Sequence, residues 1–402
     1  AVVPLTTAVR ETGWLLGPML YIGGAAWTLY TSWVLLRASE LSKEDSYETI
    51  ALRTLGKAGA ISAQLIIIIN AFLLCVSVQG LYVDLLPVDQ RTLQVIISGC
   101  VLLPFTALVR RVDRLAVFSY VTALTAVIFV GFVLARCFIG PGDFPASGLK
   151  AWPSGDKPQI IWLEALSTIV IGYVVQFNVL PVYQSLPSGR QTGDMMKALY
   201  LGMALTFSIY VAIELLSYLT FGIEEYLHVL EEYVAMPGGE FATSQLGVGQ
   251  LLSYPIIAHA AVTEFAKILI KGVLGCCPGW AASRAGRNEK SKLLLNPPPT
   301  VARQHTFPAP TGDDLLSEWV AGTLWVLLTT ALACALDDVS SLLSVVGAAC
   351  ATPLMTVFPP LMLLRCEGAE AEPLRPFHMA MVGLGCAATV AGLIVSILDF
   401  GQ

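Results

Sequence analysis

A polar stripe runs through one of the apolar segments of the chain, between Ile160 and Leu186. It consists of four polar or small residues at four-residue intervals, namely Glu164, Thr168, Gly172 and Gln176. At 3.6 residues per turn, this spacing places them on one slowly drifting face of a helix. The segment is long enough to cross a bilayer, which takes about 20 helical residues. Such a face is predicted to point away from lipid, towards protein or a water-filled cavity.

The same segment carries the signs of a helix that is interrupted partway across the membrane. Gly172 and the stretch from Asn178 to Pro181 weaken helical hydrogen bonding, and Tyr173, Phe177 and Tyr183 add aromatic side chains. Broken backbone at membrane depth survives only where protein or a water-filled cavity receives the freed groups. In transporters that cavity is the substrate site. The alternative is a kinked structural helix that packs through small and polar residues, and both interpretations stay open.

Further polar side chains lie inside other apolar segments. Asn70 follows four isoleucines and is predicted either to hydrogen-bond between helices or to line a cavity. Glu214 lies about two turns from the outer end of its segment, so it is either a protonated or snorkelling acid or a carboxylate that couples proton movement. Glu264 and Lys267 are three residues apart and are predicted to form an ion pair near the inner interface.

The composition indicates an integral membrane protein that is not an enzyme. Of the 402 residues, 55% are hydrophobic and 13% are charged, whereas soluble domains have about 25% charged residues. The chain has no block of basic residues that would bind nucleic acid, and its nine cysteines show no metal-ligand spacing. It contains no HExxH or GxSxG motif. We therefore expect no catalytic residues and no cofactor.

Ten apolar segments are predicted to cross the membrane, after a shorter apolar opening at residues 1–9. They are 13–36, 58–86, 93–109, 115–138, 160–182, 195–221, 245–274, 316–336, 339–364 and 377–398. Residues 275–314 are rich in Pro and charged residues and are predicted to form a flexible loop. Residues 1–402 are therefore predicted to form a single transmembrane domain of eleven helices, the first of them truncated.

The charge of the loops predicts which of them face the cytoplasm, because cytoplasmic loops near membrane spans are enriched in Lys and Arg. If the opening segment ends outside and the spans alternate, most of the 23 Lys and Arg residues fall in inside loops. The 275–314 loop is then cytoplasmic. The segment 223–244, which carries several glutamates, then faces the outside or the lumen.

Six stretches of the chain resemble motifs of the amino acid/auxin permease superfamily, and most closely its sodium-coupled neutral amino acid transporter branch. They are VVPLTTAVRETGWLLG, SYETIALRTLGKAG, LLPFTALVRRVDRLAVFSYVT, FNVLPVYQSL, YLTFG and SLLSVVGAACATPLMTVFPPLMLL. Each motif alone is weak, but six in the right order along the chain are specific. Two positions depart from the pattern, because the family often has a histidine where Gln176 stands and an acid where Ser185 stands.

The resemblance implies a leucine-transporter-like fold, in which two inverted repeats of five spans are followed by an eleventh span. The first and sixth spans would be the broken pair that lines a site at mid-membrane, where half-helix ends offer donors to a carboxylate and acceptors to an ammonium group. The candidate substrate-binding residues are Tyr173, Gln176, Phe177, Asn178, Asn70 and Thr6. The candidate ion-coupling residues are Ser253 and Gln250, on the span that contributes hydroxyls to the family's cation site, and Glu214. For each of these residues, helix packing is the competing interpretation.

The function implied by the resemblance is secondary active transport. A symporter of this family would move amino acids, here neutral ones, with sodium or protons across the plasma membrane or a vacuolar or lysosomal membrane. Its partners would be the amino acid substrate and the lipid bilayer, and its only metal would be sodium. The alternative is a nutrient-sensing transceptor or scaffold with the same fold that signals through residues 275–314.

The start of the chain carries one further expectation. In the family, the unwound part of the first span is a glycine-containing stretch that immediately precedes the segment matched here by Val3 to Thr7. We therefore expect the native chain to extend upstream of Ala1 by at least a half-span with a Gly-rich turn and a cytoplasmic tail. On this expectation, the 402 residues alone would not transport.

Overall fold

All regular secondary structure in the described part of the chain is helical. The computed structural model describes residues 2–84, 91–108, 112–139, 149–152, 161–186, 192–221, 233–275, 312–336, 339–366 and 374–399. The first seven helices are α1 (Val2–Ser42), α2 (Tyr47–Asp84), α3 (Arg91–Leu108), α4 (Val112–Ile139), α5 (Ile161–Tyr173), α6 (Gln176–Ser185) and α7 (Thr192–Phe221). The others are α8 (Gly239–Gly275), α9 (Gly312–Ala335), α10 (Val339–Val346), α11 (Phe358–Leu364) and α12 (Arg375–Asp399).

The helices have the lengths that membrane crossing requires. Among the described residues, eight helical stretches are long and apolar enough to cross a bilayer, and two shorter apolar stretches cover Val95–Thr106 and Trp319–Ala335. Each of these stretches overlaps one of the ten apolar segments named above, and the crossing of the membrane by all ten remains a prediction. Many of their outward side chains are large and apolar, as expected for surfaces that face lipid rather than water.

The junction between the opening segment and the second predicted span is a sharp turn inside α1, at Gly13. This residue has φ 87° and ψ 165°, which glycine adopts without the steric cost of a side chain. The turn lies against residues 149–152, because the N–H groups of Trp14 and Leu15 donate to the carbonyl oxygens of Lys150 (3.1 Å) and Ala151 (3.3 Å). A Cβ at position 13 would also lie 2.8 Å from the Ala151 backbone. Glycine is therefore required both for the positive φ and for the close approach of the two segments.

The region before the third predicted span is helical rather than a loop, which corrects the prediction from the sequence. α2 begins at Tyr47 and changes direction at Gly56, where φ is 75°. Ser46 caps its start, since the Thr49 N–H donates to Ser46 Oγ at 3.1 Å and the Ser46 N–H donates to Thr49 Oγ1 at 3.3 Å. This reciprocal cap stabilises a short helix that has too few apolar residues to be recognised as part of a span.

The tenth predicted span is not a regular α-helix. Between α10 and α11 it contains two π-helical stretches, Gly347–Ala351 and Pro353–Val357. Gly347 packs directly on α5, since a Cβ there would lie 2.3 Å from the carbonyl oxygen of Ser167. The hydroxyl of Thr352 donates to the Gly347 carbonyl oxygen at 2.9 Å, which satisfies one acceptor released by the altered hydrogen bonding. π-bulges of this kind occur frequently at functional sites.

The packing of the helices places α5 and α6 at the centre of the molecule. α5 contacts α1, α10 and α12, while α6 contacts α1, α2, α4 and α8. A buried apolar cluster joins α6 to α1, α2 and α11 through residues such as Phe177, Leu35, Ile67 and Phe358. The assignment of these helices to two inverted repeats of five remains a prediction.

Candidate functional site

The sixth predicted span is interrupted at Val174 and Val175. α5 ends at Tyr173, Val175 has φ −124° and ψ −4°, and α6 begins at Gln176. The sequence predicted an interruption from two signals, Gly172 and the stretch Asn178–Pro181. The break lies two residues after Gly172, whereas Asn178–Pro181 is helical. At this break, side chains of α1 and α7 bond the carbonyl oxygens of Tyr173 and Gly172, and Gln176 accepts the Val175 N–H, as described below.

Two hydroxyl groups from other helices satisfy the carbonyl oxygens at the end of α5. Tyr210 of α7 donates its hydroxyl hydrogen to the carbonyl oxygen of Gly172 at 3.2 Å. Thr28 of α1 lies with Oγ1 3.4 Å from the carbonyl oxygen of Tyr173, and it is also 3.4 Å from the sulfur of Met355. The interruption is therefore held by α1 and α7, without which buried backbone acceptors would be left unsatisfied.

The amide of Gln176 holds the start of α6. Its Oε1 accepts the N–H of Val175 at 3.0 Å, and its Nε2 donates to Thr31 Oγ1 of α1 at 2.9 Å. Gln176 and Thr31 are both fully buried. An amide side chain has two donor hydrogens and two acceptor lone pairs, so these bonds use half of its capacity. One donor and one acceptor remain for another polar group.

An aromatic cluster with a buried carboxyl group lies beside the break, around Tyr173. The rings of Tyr21, Tyr173 and Tyr210 lie with their centroids 5.5–6.2 Å apart. Glu214 is 2% exposed and accepts a hydrogen bond from the hydroxyl of Tyr21. Its carboxyl group therefore does not reach the membrane surface. Tyr173 is also buried, and its hydroxyl has no hydrogen-bond partner among the described residues.

Asn70 is fully buried, and within the described ranges neither Oδ1 nor Nδ2 has a hydrogen-bond partner. The interhelical hydrogen bond that was one prediction for this residue is thus not among those that the structure contains. Ile67 and Leu74 flank Asn70 on the same face of α2. Both belong to, or pack against, the apolar cluster that includes Val174 and Phe177. The amide therefore lies about one helical turn in sequence from residues of the cluster that also contains Val174 and Phe177.

The remaining candidate residues lie on α6, α8 and α1. Phe177 is 5% exposed and Asn178 is half-buried, both in the first turn of α6. On α8, the hydroxyl of Ser253 donates to the carbonyl oxygen of Gln250 at 2.6 Å, which leaves the Ser253 oxygen able to accept. Thr6 lies in the helical start of α1, but its side chain is outside the described residues.

The sequence did not reveal that side chains of α1 and α7 form hydrogen bonds with the residues at the break. Thr28, Thr31 and Ser32 are all fully buried, and the hydroxyl of Ser32 has no hydrogen-bond partner in the described part of the chain. Their spacing of three and four residues within an apolar segment was a visible signal of a polar helix face. Tyr21 and Tyr210 gave no such signal, because aromatic residues are common in membrane spans.

A second polar group joins α2 to α8 away from the break. The ion pair predicted for Glu264 and Lys267 is confirmed, with Nζ 2.6 Å from Oε1, and Lys267 also lies 2.9 Å from Glu48. Gln64 Nε2 donates to the second oxygen of Glu264 at 2.6 Å. Within the described ranges, no group of three or more His, Cys, Asp or Glu side chains is arranged to hold a metal ion.

Comparison with known proteins assigns the family. The family described as transmembrane amino acid transporter protein matches residues 2–398. The chain is similar to sodium-coupled neutral amino acid transporter 7 of Mus musculus, with 24% identity over 293 residues, which is 69% of this chain and 51% of that protein. It is also similar to amino acid transporter AVT6E of Arabidopsis thaliana, with 25% identity over 297 residues, or 67% and 60% of the two chains.

The chain spans about half the length of the curated sodium-coupled relatives that it matches. The family match, in contrast, covers almost every residue, including all the helices described above. The family is one of transporters rather than enzymes, and its members are amino acid transporters. With its apolar helices, the chain is an integral, multi-pass membrane protein, and it belongs to the transmembrane amino acid transporter protein family.

Proposed function

We propose that the protein is a secondary active transporter, a symporter that moves neutral amino acids across a membrane with sodium ions or protons. The observation that carries this proposal is the interruption at Val174 and Val175 in a buried, centrally packed helix pair. Secondary transporters use interrupted helices near the bilayer midplane as substrate sites. Family membership and the names of the relatives support an amino acid as the substrate.

The two half-helix ends suit the two charged groups of an amino acid. The end of α5 presents carbonyl oxygens and the negative end of its dipole, which favours an ammonium group. The start of α6 presents N–H groups and the positive end, which favours a carboxylate. Thr28, Tyr210 and Gln176 hold these same backbone groups. In this proposal the substrate exchanges with those side chains, so that each buried backbone group keeps a partner.

Buried polar atoms beside the break support a polar ligand of low charge. A buried amide or hydroxyl without a partner costs about 1–3 kcal/mol, and a substrate would supply partners to Asn70 and to the Tyr173 hydroxyl. Phe177 and Asn178 complete the proposed site. The four side chains assigned to it are uncharged, which supports amino acids with neutral side chains.

Two groups of residues are candidates for coupling transport to an ion. Glu214, buried beside Tyr21, would carry a proton. Ser253 and Gln250 would offer oxygen atoms of the kind that coordinate sodium, together with the first predicted span, to which Thr6 belongs. The buried carboxyl group favours protons, and the names of the relatives favour sodium. The two assignments make different predictions for uptake.

Uptake into proteoliposomes tests the proposal. The purified full-length protein is reconstituted, and accumulation of radiolabelled neutral amino acids is measured with an imposed sodium gradient, an imposed proton gradient, both or neither. We expect accumulation above equilibrium with at least one gradient, and none in liposomes that contain Asn70→Leu protein at the same density. Binding of amino acids without gradient-driven uptake would favour the transceptor alternative. Neither binding nor uptake of any neutral amino acid would reject the proposal.

A further inference from the structure

The outer face of the helix bundle contains a groove between α1 and the start of α12. It has a volume of about 420 Å³ and is lined by Gly23, Ala26, Trp27, Tyr30, Leu374 and Phe377. The lining is apolar, and it combines two small residues on α1 with a wall of aromatic and aliphatic side chains. Leu374 and Phe377 are 43% and 46% exposed, so the groove is open to whatever surrounds the helices.

Tyr30 closes one end of the groove and fixes its width. Its hydroxyl is 2.7 Å from Nε2 of the buried His378, and its ring packs edge-on against Phe377 at a centroid distance of 5.5 Å. These contacts join α1 to α12 at the level of Tyr30. From there to Gly23 the groove follows about 10 Å of helix, since seven residues rise 1.5 Å each. The groove is thus formed in advance rather than created by a ligand.

The position of the groove determines which class of molecule covers it. α1 and α12 are both long and apolar enough to span a membrane, and the apolar span of α12 begins at Arg375. Arg375 is exposed and lies in sequence between two lining residues, Leu374 and Phe377. An apolar groove on two helices of this kind is suited to lipid acyl chains, and Arg375, at the start of the apolar stretch, is suited to a lipid phosphate.

We propose that the groove binds a phospholipid, with an acyl chain along Gly23 and Ala26 and the phosphate group paired with Arg375. A sterol fits less well, because it has no charged group to pair with an arginine. A second copy of the chain also fits less well, since a stable interface buries about 800 Å² per partner and the groove is lined by six residues. The proposed site is separate from the interrupted helix and does not depend on transport.

The chain offers a matched pair of substitutions. A Cβ built on Gly23 meets nothing within 4 Å, so Gly23→Leu fills the groove without a backbone clash. Gly383, on α12, is also exposed and has nothing within 4 Å, but it does not line the groove. Both substitutions replace a helical glycine with leucine and have the same effect on helix propensity. Ala26→Leu is a second filling variant, in case Gly23→Leu lowers the yield of folded protein.

The measurement is native mass spectrometry of the purified full-length protein in detergent, titrated with dioleoyl phosphatidylcholine. We expect the tightest phosphatidylcholine site to weaken about tenfold in Gly23→Leu and Ala26→Leu, because leucine occupies the volume of the acyl chain, and to change less than about twofold in Gly383→Leu. Arg375→Gln should weaken the same site about three- to tenfold, whereas Arg365→Gln, also exposed but not next in sequence to a lining residue, should not.

Three outcomes would overturn the proposal. Equal affinities of the Gly23→Leu and Gly383→Leu proteins would mean that the retained lipid lies elsewhere. A filling variant that loses cholesterol rather than phosphatidylcholine would identify a sterol site. A shift from dimer to monomer in Gly23→Leu, seen in the same spectra, would show that a second copy of the chain occupies the groove.

Discussion

The side chain of Gln176 donates a hydrogen bond to the hydroxyl of Thr31 at 2.9 Å, and both side chains are completely buried. Because the same amide accepts the N–H of Val175 at 3.0 Å, one side chain holds the start of α6 and attaches it to α1. The interruption is therefore built by side-chain contacts between helices. It is a defined backbone geometry that a substitution of one partner can disturb.

Replacing Gln176 tests whether these contacts matter for the proposed substrate. Gln176→Leu keeps a side chain of similar size but removes the cap of α6 and the contact with Thr31. Loss of a buried hydrogen-bonding group costs about 1–3 kcal/mol, so the apparent affinity for the amino acid should fall roughly 5- to 150-fold. The measurement is the KM of uptake, normalised to the amount of folded protein.

The matched variant is Thr31→Val, which removes only the hydroxyl that receives the Gln176 hydrogen bond. If Gln176 acts through α1, the two substitutions are not additive, and the double variant resembles Gln176→Leu. If Gln176 contacts the substrate, Thr31→Val has a small effect and Gln176→Leu a large one. Unchanged kinetics in well-folded Gln176→Leu protein would assign this residue to helix packing.

The existence of the break could be predicted from the sequence, but its location only in part. Gly172, Asn178 and Pro181 were the local signals, and the break lies two residues after Gly172 rather than at Asn178–Pro181. In the structure Pro181 lies inside α6, and the break falls at two valines, which have no turn signal of their own. Its backbone groups are bonded by the adjacent Gln176 amide and by the hydroxyl groups of Thr28 and Tyr210, which are distant in sequence. A local sequence pattern cannot report the two distant contacts.

The same reasoning explains what else was found or missed. The helical character of the apolar segments could be predicted because bilayer thickness requires long apolar helices. The partner of Glu214 was not predicted, because Tyr21 is 193 residues away in the sequence and lies in an ordinary apolar segment. The helix over residues 47–55 was not predicted, because the strong hydropathy of the following span dominates this part of the sequence. The helix start that Ser46 caps is a weaker signal beside it.

Tyr210 is predicted to stabilise the interrupted helix through its hydroxyl alone. Tyr210→Phe keeps the ring against Tyr21 and Tyr173 but removes the donor to the Gly172 carbonyl oxygen. The free energy of unfolding should fall by about 1 kcal/mol. Tyr200→Phe, an exposed residue on the same helix, is the control and should change it by less than about 0.5 kcal/mol. Unfolding in mixed detergent micelles gives both values, and equal stabilities would remove the role assigned to the hydroxyl.

Gly13 is predicted to be required for the turn in α1. Gly13→Ala places a Cβ 2.8 Å from Ala151 at a φ of 87°, so it should lower the free energy of unfolding by about 2 kcal/mol or more. Gly131→Ala is the control, since a Cβ there meets nothing within 4 Å and the residue lies in α4. It should be neutral or stabilising by about 0.5–1 kcal/mol. The same change in both variants would show that residues 149–152 do not constrain the turn.

The ion pairs of Lys267 are predicted to hold α8 to α2. Lys267→Gln leaves Glu48 and Glu264, whose side chains are 19% and 14% exposed, without their cation. Because the lysine itself is 41% exposed, the loss should be about 1–2 kcal/mol, less than for a fully buried pair. Lys197→Gln breaks an exposed pair with Asp194 and should cost less than about 0.5 kcal/mol. Thermal unfolding at low and high salt measures both, and a smaller loss for Lys267→Gln would contradict the assignment.

Glu214 gives the test that separates proton coupling from sodium coupling. Its carboxyl group is 2% exposed and bonded to the Tyr21 hydroxyl, and a buried acid in a membrane span is costly unless it is neutral or serves a function. Glu214→Gln keeps the size and a hydrogen-bonding group but cannot exchange a proton. If Glu214 is the coupling group, this variant no longer accumulates amino acid in response to a proton gradient.

The same variant should still exchange labelled for unlabelled amino acid across the membrane, because exchange needs the binding site but no net proton movement. Glu240→Gln, at the exposed start of α8, is the control and should behave as the unaltered protein. Retained proton-driven accumulation in Glu214→Gln would leave the carboxyl group as a structural partner of Tyr21. Sodium-driven accumulation that survives Glu214→Gln but is lost in Ser253→Ala would instead assign coupling to sodium and to α8.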